Sequence, residues 1–147
     1  MTLIDKNKKE TWHKWLPEAQ NLSKKYVITL IEDIIGEFNI YLYDEKSDKK
    51  IRVNFYESTD IFRRTNIGFR STELKQISDE QGEAFFSDWT FFKISNSEYV
   101  RELFEESCGM LNAAHCIHFV IVGDNCIVDV ITDHEPKIEF IEKEHSI

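Results

Sequence analysis

The clearest secondary-structure signals of this chain lie in residues 89–136, WTFFKISNSEYVRELFEESCGMLNAAHCIHFVIVGDNCIVDVITDHEP. Two runs rich in β-branched residues, 116–122 and 126–131, flank the Gly-Asp-Asn segment 123–125, which is the pattern of a β-hairpin. Both runs are almost continuously apolar, so we expect central strands in a sheet that is covered on both faces. Residues 89–94 predict a third strand.

A helix is predicted between the third strand and the hairpin, over about residues 96–108. Ser95 precedes Glu98 by three residues, which is the spacing of a capping box at a helix N-terminus. Apolar residues then recur at helical spacing and predict one buried face, formed by Tyr99, Val100, Leu103 and Phe104. Gly109 is expected to end the helix, because glycine adopts the left-handed conformation of a helix C-terminus without strain.

Further strands are predicted upstream in an antiparallel meander, at residues 26–31, 37–43 and 51–56. Residues 1–25 are expected to be helical or flexible, since Pro17 interrupts any long helix. Residues 71–88 are polar and predict a loop or a short helical turn. The tail from Lys137 onward predicts an edge strand.

These elements predict the α+β class. The expected architecture is a mainly antiparallel sheet of about five or six strands, with the helix over residues 96–108 packed on one face. The chain has 147 residues and 41% hydrophobic residues, which is enough to build the core of a single domain spanning residues 1–147.

The net charge of −9 is distributed unevenly along the chain. Residues 1–25 hold six lysines and three acidic residues, whereas residues 71–147 hold sixteen acidic and five basic residues. A chain this acidic is poorly suited to bind nucleic acid, because phosphate groups are neutralised by lysine and arginine. A basic protein surface is the better-matched partner, since complementary charge speeds association. The alternative is an acidic surface that only keeps the protein in solution.

The sequence lacks the features of a membrane or secreted protein. No stretch approaches the roughly 20 apolar residues of a membrane span, and the first ten residues, MTLIDKNKKE, lack the apolar core of a signal peptide. We therefore expect a cytoplasmic protein that does not bind membranes. The three cysteines are predicted to be free, buried thiols, because Cys116 and Cys126 lie in strands and Cys108 lies at a helix end.

A non-enzymatic interaction protein is the function that these properties favour. Its predicted partner-binding residues combine the solvent face of the helix with the turn after the hairpin, namely Glu98, Glu102, Glu105, Glu106, Asp133 and Glu135. Their charge fits a basic protein partner.

Five residues could supply the nitrogen and sulfur ligands of a zinc site, namely His115, Cys116, His118, Cys126 and His134. A hairpin that turns at residues 123–125 would place Cys116 and Cys126 about six residues apart along the ladder, or roughly 20 Å at the rise of a strand. Neither a CxxC pair nor an HExxH helix is present. We therefore predict no metal site.

A small hydrolase or small-ligand binder is the alternative function. Its candidate residues are Cys108 as nucleophile, His118 as base and Asp129 as the orienting carboxylate. A two-residue turn at Gly123 and Asp124 would set His118 opposite Asp129, whereas a shift of one residue would place them on opposite faces. No glycine-rich elbow surrounds a serine or cysteine, so no catalytic residue is predicted.

Arg63, Arg64 and Arg70 form the one basic cluster outside the N-terminal segment. They could hold an anion, but we expect them to pair with acidic residues of the same chain, which are present at high effective concentration. The five glycines are isolated, and no phosphate-binding GxxxxGK[ST] or GxGxxG motif occurs. No cofactor is predicted.

Three segments carry a resemblance to known proteins, namely ESTDIFRRTNIGFR, WTFFKISNSEYVRELFEESCG and HFVIVGDNCIVDVITDHEP. Together they cover about half of the chain and resemble a family of small bacterial proteins of unknown function. The resemblance concerns a strand, a helix and a hairpin, and it implies no catalytic residues. In size and acidity the chain is also similar, as a class, to bacterial immunity proteins that block basic toxins.

Overall fold

The computed structural model describes residues 8–57, 61–112 and 115–142. In these ranges the chain forms two antiparallel β-sheets, and α-helices pack on the outer face of the five-stranded sheet. The strands are β1 (Thr11–Lys14), β2 (Val27–Ile34), β3 (Glu37–Asp44), β4 (Lys49–Phe55), β5 (Ile61–Asn66), β6 (Phe91–Ser95), β7 (Ile117–Val122), β8 (Cys126–Thr132) and β9 (Lys137–Ile141). The helices are a 3-10 turn (Ile67–Arg70), α1 (Ser71–Gln81), α2 (Ala84–Ser87) and α3 (Glu98–Glu106). One sheet has the order β1-β6-β7-β8-β5, and the other has the order β2-β3-β4-β9.

The main core lies between the two sheets. Alternate residues of each strand point to one face of a sheet, so every second residue of β3, β4, β7 and β8 faces the opposite sheet. These residues include Phe38, Ile40, Leu42, Ile51, Val53, Phe55, Phe119, Ile121, Val128 and Val130. The rings of Phe55 and Phe119 lie 6.0 Å apart and join the two sheets.

A second core covers the outer face of the five-stranded sheet. Here the strand residues Phe92, Val120 and Ile127 pack beneath side chains of α1 and α2. The helix residues are Leu74, Ile77, Phe85 and Phe86. Since β7 and β8 are covered on both faces, their continuous apolar sequence is explained and the prediction of central strands is confirmed.

The predicted hairpin is present, with a register that differs from the expected one. Val122 pairs with Ile127, not with Cys126 as expected for a three-residue turn. The side chain of Asn125 makes two hydrogen bonds to the backbone of Ile28 on the other sheet. Its Oδ1 accepts from the Ile28 N–H at 3.1 Å, and its Nδ2 donates to the Ile28 carbonyl at 2.9 Å. The turn therefore links the two sheets.

The expectation of one sheet with one helix is correct only for the α+β class. Nine strands in two sheets and three α-helices occur in the described part of the chain. Residues 71–88 form α1 and α2 where a loop or a short turn was expected. Only Leu74 and Ile77 of α1 are packed against the core, so an 11-residue helix has little apolar periodicity to reveal it.

The N-terminal segment is also different from the expectation of a helical or flexible chain. Residues 11–14 are the edge strand β1, which pairs with β6. Trp12 packs into the outer core and Trp15 into the core between the sheets. Residues three apart share one face of a helix but point to opposite faces of an extended chain, so the spacing of the two tryptophans fits both structures and explains the error. Residues 1–7 and 143–147 lie outside the described ranges.

Two other predictions concern the tail and membrane binding. The tail does supply an edge strand, β9, which pairs with β4. In the described ranges, no helix is long and apolar enough to cross a lipid bilayer.

Candidate functional site

Helix α3 begins two residues later than the predicted boundary and uses a different cap. The Ser97 hydroxyl accepts a hydrogen bond from the Val100 N–H at 3.1 Å, which makes Ser97 the N-cap. Ser95, the predicted cap, is exposed on β6, where its Oγ lies 2.7 Å from His13 Nε2. Asn96 has a φ of 56°, a left-handed conformation that separates the end of β6 from the helix.

The cap is joined to a buried polar chain beneath α3. Ser97 Oγ lies 2.7 Å from His118 Nδ1, and His118 Nε2 lies 2.7 Å from Asp129 Oδ1. His118 pairs with Ile131 in the register, so Asp129 is its diagonal neighbour on the same face of the sheet. The sequence identified this pair for the case of a two-residue turn, which would set the two residues directly opposite each other.

Two arginines complete the environment of Asp129. Its Oδ2 accepts from Arg63 Nε at 3.0 Å and from Arg70 Nη1 at 2.5 Å. The Arg70 guanidinium also pairs with Glu73, at 2.7 Å. The expectation that these arginines bind acidic residues of the same chain is therefore confirmed for Arg63 and Arg70.

The pKa of Asp129 follows from this environment. Burial alone would raise the pKa of the carboxyl group, but the hydrogen bond from His118 and the positive charges of Arg70 and Arg63 outweigh it and lower the pKa to about 2. Asp129 is therefore ionised at neutral pH, and its charge is compensated inside the protein.

Acid is expected to destabilise the fold as Asp129 becomes protonated. Because its pKa falls from 3.8 to about 2 on folding, the ionised carboxylate stabilises the fold at a pH above the unfolded value. This contribution, on the order of 2 kcal/mol, is lost as the pH falls through the folded value. Denaturant unfolding at a series of pH values should show a smaller acid-induced decrease in Asp129→Asn than in wild type. The same pH dependence in both proteins would contradict the assignment.

The chemistry of the buried chain favours an anchor for α3. Ser97 is only 4% exposed and His118 only 2% exposed, so a substrate does not reach them in this conformation. Both ring nitrogens of His118 are already engaged, and neither is left to activate the Cys108 thiol. Cys108 itself is exposed, contrary to the prediction of a buried thiol, and lies after the end of α3.

The acidic residues predicted to bind a partner are all on the surface. Glu98, Glu102, Glu105 and Glu106 follow one exposed stripe of α3, and Val100 is buried on the opposite side. Within the described part of the chain, no basic side chain forms an ion pair with Glu98, Glu102 or Glu106. Phe104, predicted to be buried, is 41% exposed beside this stripe.

Asp133 and Glu135 lie at the same end of the five-stranded sheet as α3. They follow β8, and this strand ends where β7 begins and where β6 leads into the helix. Both side chains are exposed, but Glu135 is paired with Lys93 at 2.7 Å and Asp133 contacts His134. The six residues thus lie at one end of the sheet, and the carboxylates without a basic partner in the described ranges lie on α3.

A groove that the sequence did not indicate extends this acidic surface. It has a volume of about 450 Å³, lies between β1 and α1, and is lined by four glutamates, Glu10, Glu73, Glu80 and Glu98, together with Lys9. The Glu10 carboxylate accepts a hydrogen bond from the Glu98 N–H at 2.9 Å, and burial raises the pKa of Glu10. The glutamates come from distant parts of the chain, so no local pattern could have grouped them.

The five residues considered as zinc ligands are not brought together as one set. His118 is engaged by Ser97 and Asp129, and Cys126 is buried in the core between the sheets. In the described ranges, one group of three or more potential ligands has donor atoms close enough to share an ion, and it combines His134 with Glu57 and Asp133.

No family model, no curated protein and no solved structure matches this chain. The resemblance to a family of small bacterial proteins therefore stays a prediction, and the site is interpreted from its own geometry.

Proposed function

We propose that this chain is a non-enzymatic interaction protein whose acidic helix α3 binds a basic protein. An acidic bacterial immunity protein that neutralises a basic toxin is the class of protein that fits this role. The observation that carries the proposal is the stripe of Glu98, Glu102 and Glu106, which have no basic partner in the described structure. Carboxylates of this kind attract a basic surface and suppress wrong partners.

The buried anchor supports the proposal because it holds α3 in place. Ser97 connects the start of the helix to His118 and Asp129, two residues of the central strands. Above them the Tyr99 ring contacts the His118 ring at 5.8 Å and stacks on the Arg63 guanidinium at 4.0 Å. A helix fixed in this way loses little conformational freedom when a partner binds, which favours affinity.

The surroundings of α3 add the other features of a protein-binding surface. The exposed Phe104 supplies an apolar contact beside the carboxylates. The groove at Glu10 and Glu98 continues the acidic surface beyond the start of α3 and is large enough to admit a lysine or arginine side chain.

Reversing the charge of α3 tests the proposal. The partner is first captured from lysate of the native host with the wild-type protein at low salt and identified by mass spectrometry. We expect the variant Glu102→Lys/Glu105→Lys/Glu106→Lys to associate with the purified partner at least about tenfold more slowly at low ionic strength, with a smaller difference at high salt. Association rates are measured by surface plasmon resonance.

A matched variant controls for net charge. Asp33→Lys/Glu45→Lys/Glu142→Lys makes the same change in total charge, at exposed residues of the four-stranded sheet and its turns. It should associate nearly as fast as the wild type. Equal rates for the α3 variant and this control would refute the acidic helix as the binding surface, and the recovery of no basic protein would refute the proposed partner class.

A further inference from the structure

Three side chains with metal-binding atoms meet where the two sheets come together. Glu57 follows β4 of the four-stranded sheet, and Asp133 and His134 follow β8 of the five-stranded sheet. One donor atom from each residue lies within 4.8 Å of the other two. Two separate segments of the chain therefore contribute to one cluster.

The His134 ring is held in position by its neighbours. It lies 4.6 Å from the Tyr56 ring and 6.3 Å from the Phe55 ring, measured between centroids. Its Nδ1 is 2.9 Å from Asp133 Oδ1 and 3.1 Å from Thr132 Oγ1. Its Nε2 is buried and has no hydrogen-bond partner in the described part of the chain. The nitrogen that faces the Asp133 carboxylate is therefore Nδ1, and an ion bound there would replace the hydrogen bond between His134 and Asp133.

The cluster also offers access from solvent. The His134 side chain is 14% exposed, whereas the Asp133 side chain is 71% exposed and Glu57 is also on the surface. The ring is therefore packed between its neighbours, while the two carboxylates lie at the surface, where an ion can reach them.

The donor set matches a particular class of ion. One imidazole nitrogen with two carboxylate oxygens is a ligand combination that zinc accepts, with water in the remaining position. Ligands bound at about 2.1 Å in a tetrahedral site lie about 3.4 Å apart, so donor atoms that now lie within 4.8 Å of one another would move closer together around an ion. Calcium and magnesium prefer sites made of oxygen atoms alone.

We propose that Glu57, Asp133 and His134 form a binding site for a divalent transition-metal ion of the zinc type. The ion links the end of β4 to the end of β8 and so fastens one sheet to the other. This site does not depend on the proposed function, although Asp133 is also among the predicted partner-binding residues.

Titration with Zn²⁺ alone tests the site, using competition with a chromogenic chelator to measure affinity. We expect the wild-type chain to bind one ion, and Glu57→Gln and His134→Ala each to weaken binding at least about tenfold. The controls are Glu45→Gln and His13→Gln, which change exposed residues of other segments and should leave the affinity unchanged. No saturable binding by the wild-type chain, or equal affinities in wild type and His134→Ala, would overturn the proposal.

Two further measurements separate this site from binding by thiols and from a folding defect. Excess Zn²⁺ should raise the melting temperature of the wild-type chain but not that of Glu57→Gln, whose exposed side chain is not needed for folding. Burial and, secondarily, the nearby Asp133 carboxylate raise the pKa of the Cys116 thiol, which places Cys116 close to the site, so Cys116→Ser is measured as well. Zn²⁺ binding that survives in Glu57→Gln and His134→Ala but is lost in Cys116→Ser would overturn the proposal.

Discussion

Replacing Asp129 by alanine is expected to lower the free energy of unfolding by about 3–5 kcal/mol. The carboxylate is completely buried and accepts hydrogen bonds from His118, Arg63 and Arg70. Its removal leaves the Arg70 guanidinium, of which only a tenth is exposed, with Glu73 as its remaining partner, and it also deprives His118 of its acceptor. Removing one partner of a buried ion pair is among the costliest defects that one substitution can create.

Equilibrium unfolding in denaturant, followed by the fluorescence of the buried Trp12 and Trp15, measures this effect. The matched control is Glu139→Ala, which removes the carboxylate of the exposed ion pair with Arg52. Exposed ion pairs contribute little, so the control should change the free energy of unfolding by less than about 1 kcal/mol. Similar losses for Asp129→Ala and Glu139→Ala would show that the buried cluster does not stabilise the fold as described.

Replacing Phe119 by alanine is the second substitution with a large expected effect, a loss of about 3–5 kcal/mol. Phe119 is buried on the central strand β7 and faces the four-stranded sheet. Its ring lies 4.9 Å from the Trp15 ring and 6.0 Å from the Phe55 ring, so it joins the N-terminal segment and both sheets. Alanine would leave a cavity at this junction, since the surrounding strands can move only slightly.

The control for Phe119→Ala uses the same substitution on the surface. Phe69 is 88% exposed in the 3-10 turn, and Phe69→Ala should change the free energy of unfolding by no more than about 0.5 kcal/mol. Both variants are measured by denaturant unfolding and by melting temperature. If Phe119→Ala lowered the free energy of unfolding no more than Phe69→Ala does, the packing of Phe119 between the two sheets would be refuted.

Elements with strong local patterns could be predicted from the sequence. The hairpin of β7 and β8 follows from two β-branched runs around a Gly-Asp-Asn segment, and the amphipathic pattern after residue 95 indicates α3. The strands β2, β3 and β4 also lie close to their predicted positions, because consecutive strands joined by short turns pair with each other. In each case the interacting residues are close in sequence.

The candidate site was predictable only in part, for the same reason. His118 and Asp129 could be paired because a single hairpin connects them, and the glutamates of α3 could be grouped because they share one helix face. Ser97 was missed because Ser95 offers a competing capping pattern two residues earlier. The contact of Arg70 with Asp129 could not be predicted because the two residues are 59 positions apart in the chain. Glu57 was not grouped with Asp133 and His134 because more than 70 residues separate them.

The sequence by itself determined the α+β class, the central hairpin, the presence of α3 and the acidic character of its exposed face, since periodicity and composition encode these properties locally. Only the tertiary structure decided that the strands divide into two sheets, that residues 11–14 and 61–66 become edge strands, and that Asp129 is enclosed by two arginines and a histidine. Those features depend on the order of strands within each sheet. Strand order is set by the packing of residues that are distant in sequence, and no local pattern specifies it.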